Sequence, residues 1–298
     1  MSAPLLMVLA TLLFATMGVC VKLASAYYGA GEIVMYRGLV GTLFLFAMAR
    51  TKRLPLKTSV PAMHFWRSLS GVIALSLWFF AISKLPLATA MTLNYMSSVW
   101  MALFLIGGAV LMGAAKVDPR LVLTVLLGFL GVGLALQPAM DDQQVWHGLA
   151  GLASGMLSAM AYLQVTSLGR AGEPEYRIVF YFSMGGVVAG ALTTVATQGG
   201  WHSHTWTGAA LLLAVGGLAT AAQLLMTRAY GTGKPLVNAS LQYLGIVFSA
   251  LYGVLLFGDR LGWASWIGIV LIVAAGLGAT LLRARTTPRD AQHSVQES

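Results

Sequence analysis

The sequence predicts an all-α integral membrane protein, with ten transmembrane helices arranged as two inverted five-helix repeats. Three observations carry that expectation. Hydrophobic residues make up 58% of the 298 positions and charged residues only 9%, whereas a water-soluble domain usually carries about 25% charge. Apolar stretches of about twenty residues recur along the chain, the length that crosses a hydrocarbon core of about 30 Å. Finally, residues of the first half reappear in the same order in the second.

The first span, 4–24, follows Met1-Ser2-Ala3-Pro4. It lacks both a basic leader and a small-residue cleavage site, so it is expected to be a retained helix and not a cleaved signal peptide. The second, 30–49, has Glu32 near its start and Arg37 about 10 Å further in at 1.5 Å per residue, and ends at Arg50-Thr51-Lys52-Arg53-Leu54-Pro55. The third, 62–83, begins with His64 and Arg67. Leu85-Pro86 turns the chain into the fourth, 87–112, where proline suits a helix start because its missing N–H has no intrahelical acceptor. Lys116-Val117-Asp118-Pro119-Arg120 precedes the fifth, 120–137, and Gln137-Pro138-Ala139-Met140-Asp141-Asp142 closes it. Spans six to ten fall at 148–168, 176–197, 206–229, 235–257 and 262–282, the ninth opening after Gly233-Lys234-Pro235. The domains expected are a first repeat over 1–137, a second over 138–285 and a polar tail over 286–298.

The basic residues orient these spans. Lys22, Lys84 and Arg260 fall on one side, Arg37 and Arg67 fall inside spans, and the remaining thirteen of the 18 Lys and Arg fall on the other side. By the positive-inside rule that side is cytoplasmic, so both termini are expected there, in a multi-pass inner-membrane protein. The net charge of +9 then reflects topology and not a nucleic-acid surface. A lone cysteine, Cys20, allows no internal disulfide and no metal pattern.

At an offset of 148, Ala74, Ala81, Leu93 and Tyr95 repeat as Ala222, Ala229, Leu241 and Tyr243, and the amides Asn94 and Gln242 fall opposite each other. An offset of 143 pairs Gly29 with Gly172 and Glu32 with Glu175. Because each half holds an odd number of spans, the second copy must sit upside down. That is the architecture of many secondary transporters, which hold substrate at the repeat interface near the midplane.

Polar groups inside spans mark the substrate candidates. Asn238, Gln242, Gly245, Ser249 and Tyr252 share one face of the ninth span. Asn94 leads the matching face of the fourth, with Ser98 beside it. These amides line a cavity or act as hydrogen-bonding glue between helices. Trp78, Tyr95 and Tyr243 supply aromatic walls with polar tips for an organic ligand, or else pack. Trp201, Trp206, Trp263 and Trp266, near span ends, read as an interfacial belt. Arg37 either snorkels or is buried; Arg67 and His64 are expected to snorkel. Glu32 and Glu175 act in topology or in proton coupling. Gly151/Gly155 and Gly186/Gly190 have the spacing of close helix crossings. No catalytic constellation and no phosphate-binding Walker loop is present in the sequence, so neither an enzyme nor a cofactor is expected.

Glu32-Ile33-Val34-Met35-Tyr36-Arg37, Trp78-Phe79-Phe80-Ala81-Ile82, Leu85-Pro86-Leu87-Ala88-Thr89-Ala90 with Asn94-Tyr95, Leu241-Gln242-Tyr243-Leu244-Gly245 and Leu256-Phe257-Gly258-Asp259-Arg260 together resemble the drug/metabolite transporter superfamily, in its EamA-type ten-helix branch. Ser98 stands where relatives often have proline, and Ala114 follows Gly113 where relatives often have an acid. The resemblance implies alternating-access transport of a small organic metabolite, with export favoured. The scarcity of carboxylates among the cavity candidates favours a neutral or zwitterionic, amino-acid-like solute over a cationic drug. A lipid-headgroup flippase or enzyme, or a non-transporting subunit of a membrane complex, are the alternatives. The partners expected are the substrate and the bilayer, and a homodimer is compatible with the sequence.

Overall fold

The computed structural model describes residues 2–97, 99–101, 103–104, 107, 123, 126–127, 130–131, 134, 142–198, 200–232, 241–260 and 262–286. The helices are α1 (Ala3–Ala24), α2 (Ala30–Thr51), α3 (Pro61–Lys84), α4 (Leu87–Tyr95), α5 (Asp142–Arg170), α6 (Glu175–Gln198), α7 (Trp206–Thr232), α8 (Leu244–Phe257) and α9 (Trp263–Thr286). No strand occurs among the described residues. Six of these helices, α1, α2, α3, α5, α6 and α7, are long and apolar enough to cross a membrane. Ten spans are not established by these residues, because most of the fifth predicted span and parts of the fourth and ninth lie outside them.

Local chemistry sets the helix ends. Prolines open α1 and α3 where an N–H would have no intrahelical partner. Thr205 Oγ1 accepts from Gly208 N at 3.0 Å and caps α7. At the end of α8, Gly258 takes a left-handed φ of 62°, and Asp259 N donates to Gly253 O at 3.0 Å. That closure needs a residue without a Cβ penalty.

The most extensive packing runs α2 along α6, α3 along α5 and α1 along α7, and α4 also packs against α8. Exchanging the halves, α1 with α5, α2 with α6, α3 with α7 and α4 with α8, turns each of these pairings into another or into itself. The same holds for the secondary pairs α1–α8 with α4–α5 and α2–α7 with α3–α6. Both small-residue motifs are crossing points, as their spacing predicts. A Cβ at Gly190 would meet Gly31 O and Met35 Cα at 2.7 Å, and one at Gly155 would meet Leu93 O at 2.6 Å. The four interfacial tryptophans are exposed, Trp206 at 94%, as a belt requires.

An acid–histidine clasp ties a loop down at each end of the bundle. On the face bearing the α2–α3 loop, Glu173 takes hydrogen bonds from His64 Nε2 (3.0 Å), Thr58 Oγ1 (2.9 Å) and Arg177 Nη1 (3.1 Å). Arg177 also donates to Pro55 O at 2.9 Å. On the opposite face Glu32, fully buried, accepts from His202 N at 2.9 Å and contacts the His202 ring, drawing the α6–α7 loop onto the start of α2. The acid that answers Glu32 in the second half is therefore Glu173, two residues before the Glu175 that the sequence offset selects. His64 and Arg67 are buried, at 2% and 3% exposure, which corrects the expectation that they snorkel. His64 has a carboxylate to hold it below the surface, and Arg67 lies over an aromatic ring.

Burial alone would push the Glu173 carboxyl up. The hydrogen bonds from His64, Thr58 and Arg177, with the Arg177 charge, outweigh it and hold the group below its ordinary value of 4.5. A carboxyl depressed in the folded state stabilises the fold above its ordinary pKa, and that contribution is lost as the pH falls through the lower, folded value. Glu173→Gln is thus expected to lower the melting temperature of the purified protein at pH 7, with the gap from wild type closing below about pH 4. A gap that stays constant across that range would contradict the ionised clasp.

Candidate functional site

A cavity of about 50 Å³ lies at the centre of the bundle, room for a few water molecules at about 10–15 Å³ each. Its floor and walls come from both halves. From α1 come Met7, Thr11, Phe14 and Met17, spaced to fall on one stripe. Arg37 of α2 and Arg67, Gly71, Leu75 and Trp78 of α3 face them, with Asn94 and Tyr95 of α4. The second half supplies Ser158, Ala161 and Tyr162 of α5, Phe182 of α6, Gln223 and Met226 of α7, and Gln242 just before α8.

The structure brings five sequence candidates together here: Arg37, Trp78, Asn94, Tyr95 and Gln242. Cavity and glue are not exclusive for the amides. Asn94 Nδ2 donates to Ser154 Oγ at 3.1 Å and Ser158 Oγ at 3.2 Å, tying α4 to α5. Gln242 has a weaker tie, Nε2 to Met226 Sδ at 3.8 Å. Among the described residues the Trp78 indole N–H and Gln223 Oε1 have no hydrogen-bond partner.

Other candidates lie elsewhere. Ser249 is fully buried but returns its hydroxyl to Gly245 O at 2.6 Å. Tyr252 pairs with Thr16 at 3.1 Å between α8 and α1. Tyr243 is buried outside the cavity lining. Glu32 sits in its clasp, and Glu175 lines a separate, larger cavity of about 740 Å³ between the ends of α5 and α7 and the start of α6. Ser98 and Asn238 lie outside the described residues. The ninth-span stripe does face inward, with Val247, Leu251 and Leu255 exposed on the far side, yet only Gln242 of its described members reaches the cavity.

Sequence reasoning missed Phe182, Tyr162 and Gln223. Phe182 carries both arginines on its ring, Arg37 at 5.0 Å and Arg67 at 4.3 Å from the centroid. Tyr162 stacks on Tyr230 with centroids 6.1 Å apart. Tyr162 lines the central cavity and Tyr230 the larger one. Among the described residues no cluster of His, Cys, Asp and Glu could hold a metal ion.

The EamA-like transporter family matches residues 1–137 and 146–281. The chain is 33% identical over 282 residues to the pseudopaline exporter CntI of Pseudomonas aeruginosa, covering 92% of this chain and 94% of that one. It is 28% identical to a riboflavin transporter of Rhizobium johnstonii, over 80% of this chain and 77% of the relative. An S-adenosylmethionine uptake transporter of Rickettsia bellii is 24% identical over 74% and 73% of the two chains. A crystal structure with 19% identity, covering 94% of this chain and 98% of that one, superposes with a TM-score of 0.64 and shares the fold.

Proposed function

We propose, from the premise that this chain belongs to the EamA-like transporter family, that it is a secondary carrier exporting a small organic metabolite across the inner membrane by alternating access. Membership makes the chain a multi-pass membrane transporter of a small molecule and not an enzyme. The finer reading is ours: ten helices in two inverted repeats over 1–137 and 138–285, both termini cytoplasmic, and an amino-acid-like, zwitterionic solute. One observation carries it. The central cavity is walled by both halves, and the helix pairings around it survive exchange of those halves. Two symmetry-related bundles meeting at one site can rock about it and open it to either side in turn. The export direction rests on the relative named as an exporter.

In this reading Asn94, Gln242, Trp78, Tyr95 and Arg37 touch substrate, and the Tyr162–Tyr230 stack closes the path toward the basic face. Uptake or efflux of labelled solute by sealed proteoliposomes holding only the purified protein tests the carrier. Topology is tested separately, on a Cys20→Ser background. Asp142→Cys should react with an impermeant thiol reagent from outside intact cells, and Lys52→Cys should not. The reverse pattern would reject the orientation and the inverted repeat with it.

A further inference from the structure

Two arginines are buried in the cavity wall at 3% exposure each. Among the described residues neither makes a hydrogen bond or ion pair, and Arg37 Nε and Arg67 Nε and Nη1 are buried without a hydrogen-bond partner. What they share is the ring of Phe182. That contact offsets part of the cost of burying a guanidinium but leaves its donors open. The arginines reach it from opposite ends. Arg37 lies two turns into α2 from the face of the α6–α7 loop, and Arg67 lies two turns into α3 from the other face. Gly71, one turn after Arg67, leaves the room into which the Arg67 guanidinium folds, where a Cβ would collide with it.

Among the described residues no acid pairs with them. Of the chain's nine Asp and Glu, Glu32 and Glu173 are held by His202 and His64, and Asp259 by Lys22 at 3.4 Å. Glu175 lines the other cavity. The remaining five fall between the predicted spans or in the tail. The arrangement is also confined to one half. At the offsets that align the repeats, Arg37 matches Phe180 and Arg67 matches Val215, so the pair is not a requirement of the repeated fold.

We propose that Arg37 and Arg67 form the anion-binding element of the central cavity, so that the transported solute carries an oxyanion, a carboxylate or a phosphate, on an organic body. The inference rests on the carrier reading and narrows its substrate class. A guanidinium offers parallel N–H donors matched to two oxygens of such a group. Both guanidinium groups lie over the Phe182 ring, and the apolar walls of α1 with Trp78 receive the rest of the molecule. A wholly uncharged solute would leave two charges buried without a partner. A zwitterion fits through its carboxylate.

The test loads proteoliposomes that hold the purified full-length protein with a low-molecular-weight cell extract, and identifies by mass spectrometry what leaves. The solutes that leave should carry a carboxylate or a phosphate, and their identity says which. Arg37→Gln and Arg67→Gln, reconstituted in equal amount, should lower that efflux at least tenfold. Each variant should melt no lower than wild type, because it removes a buried charge without a counter-ion. Efflux limited to uncharged or cationic solutes, or unchanged efflux in both variants, overturns the anion site and leaves the carrier standing. Lowered melting temperatures in both variants would mark the arginines as structural and overturn the anion site too. Efflux of nothing from the wild-type vesicles would reject the carrier itself, and the anion site with it.

Discussion

Gly190→Ala is expected to unfold or severely loosen the bundle, while Gly186→Ala, four residues away in the same motif, is expected to be neutral or stabilising. Both positions sit on α6 at its crossing with α2, the most extensive pairing in the fold. At Gly190 a methyl group would lie 2.7 Å from Gly31 O and from Met35 Cα. These are backbone atoms, which cannot rotate away as a side chain can, so the helices must part. Overpacking a core costs about 1–3 kcal/mol when side chains can adjust, and the rigid obstacle here places the cost at the upper end or beyond. At Gly186 the same methyl would meet Gly38 Cα at 3.7 Å and Val34 O at 3.8 Å, ordinary contact. There alanine keeps its helix-propensity advantage of about 1 kcal/mol over glycine. Melting of the two variants in detergent separates them. Equal losses at both sites would mean that α2 and α6 do not cross as described.

The same contrast shows how far the sequence reaches. Glycine spacing announced a close crossing, but which glycine bears the contact depends on the azimuth of the partner helix, and nothing in α6 alone records that. The six long spans among the described residues were legible because hydrophobic length and charged separators are local properties. The inward face of the ninth span was legible because a polar stripe at helical period cannot face lipid comfortably. Depth along that stripe was not. Ser249 and Tyr252 share the azimuth of Gln242, yet one bonds its own helix and the other reaches Thr16 of α1. Asn94 and Gln242 were found together through the repeat, and they do line one cavity. The stripe of α1 was invisible, since Met7, Phe14 and Met17 look the same in sequence whether they face lipid or a cavity.

The charged groups were the hardest to read. Arg67 and His64 near a helix start resemble snorkelling residues until α6 brings Phe182 over one and the α5–α6 loop brings Glu173 to the other. Those partners lie more than a hundred residues further along the chain, and an offset between repeats does not find them, because the second half has no equivalent arginine. A site that departs from the repeat symmetry is the part a repeat-based reading is least able to anticipate. It is also where a carrier built from two similar halves acquires a preference for one solute.

Gln242→Ala is expected to lower transport several-fold or more with little loss of stability, whereas Asn94→Ala should lower both. The two amides occupy matching places in the two halves and face one cavity, but their attachments differ. Asn94 gives both amide hydrogens to Ser154 and Ser158. Hydrogen bonds between membrane helices average about 0.6 kcal/mol and reach about 1.7, so its loss should remove about 1–2 kcal/mol of α4–α5 adhesion and lower the melting temperature measurably. Among the described residues Gln242 makes only a long contact to the Met226 sulfur, and its side chain lines the cavity where a ligand would meet it. One or two hydrogen bonds to substrate, each worth about 0.5–1.5 kcal/mol net, correspond to several-fold in affinity. Initial-rate kinetics should therefore show a raised KM for Gln242→Ala at an unchanged melting temperature. Asn94→Ala should show a lowered melting temperature, with a smaller KM change per degree lost because its N–H groups are already engaged. If Gln242→Ala melts lower and keeps the wild-type KM, the glutamine is packing between α8 and α7, and the matched amides reflect a shared helix contact instead of a shared ligand.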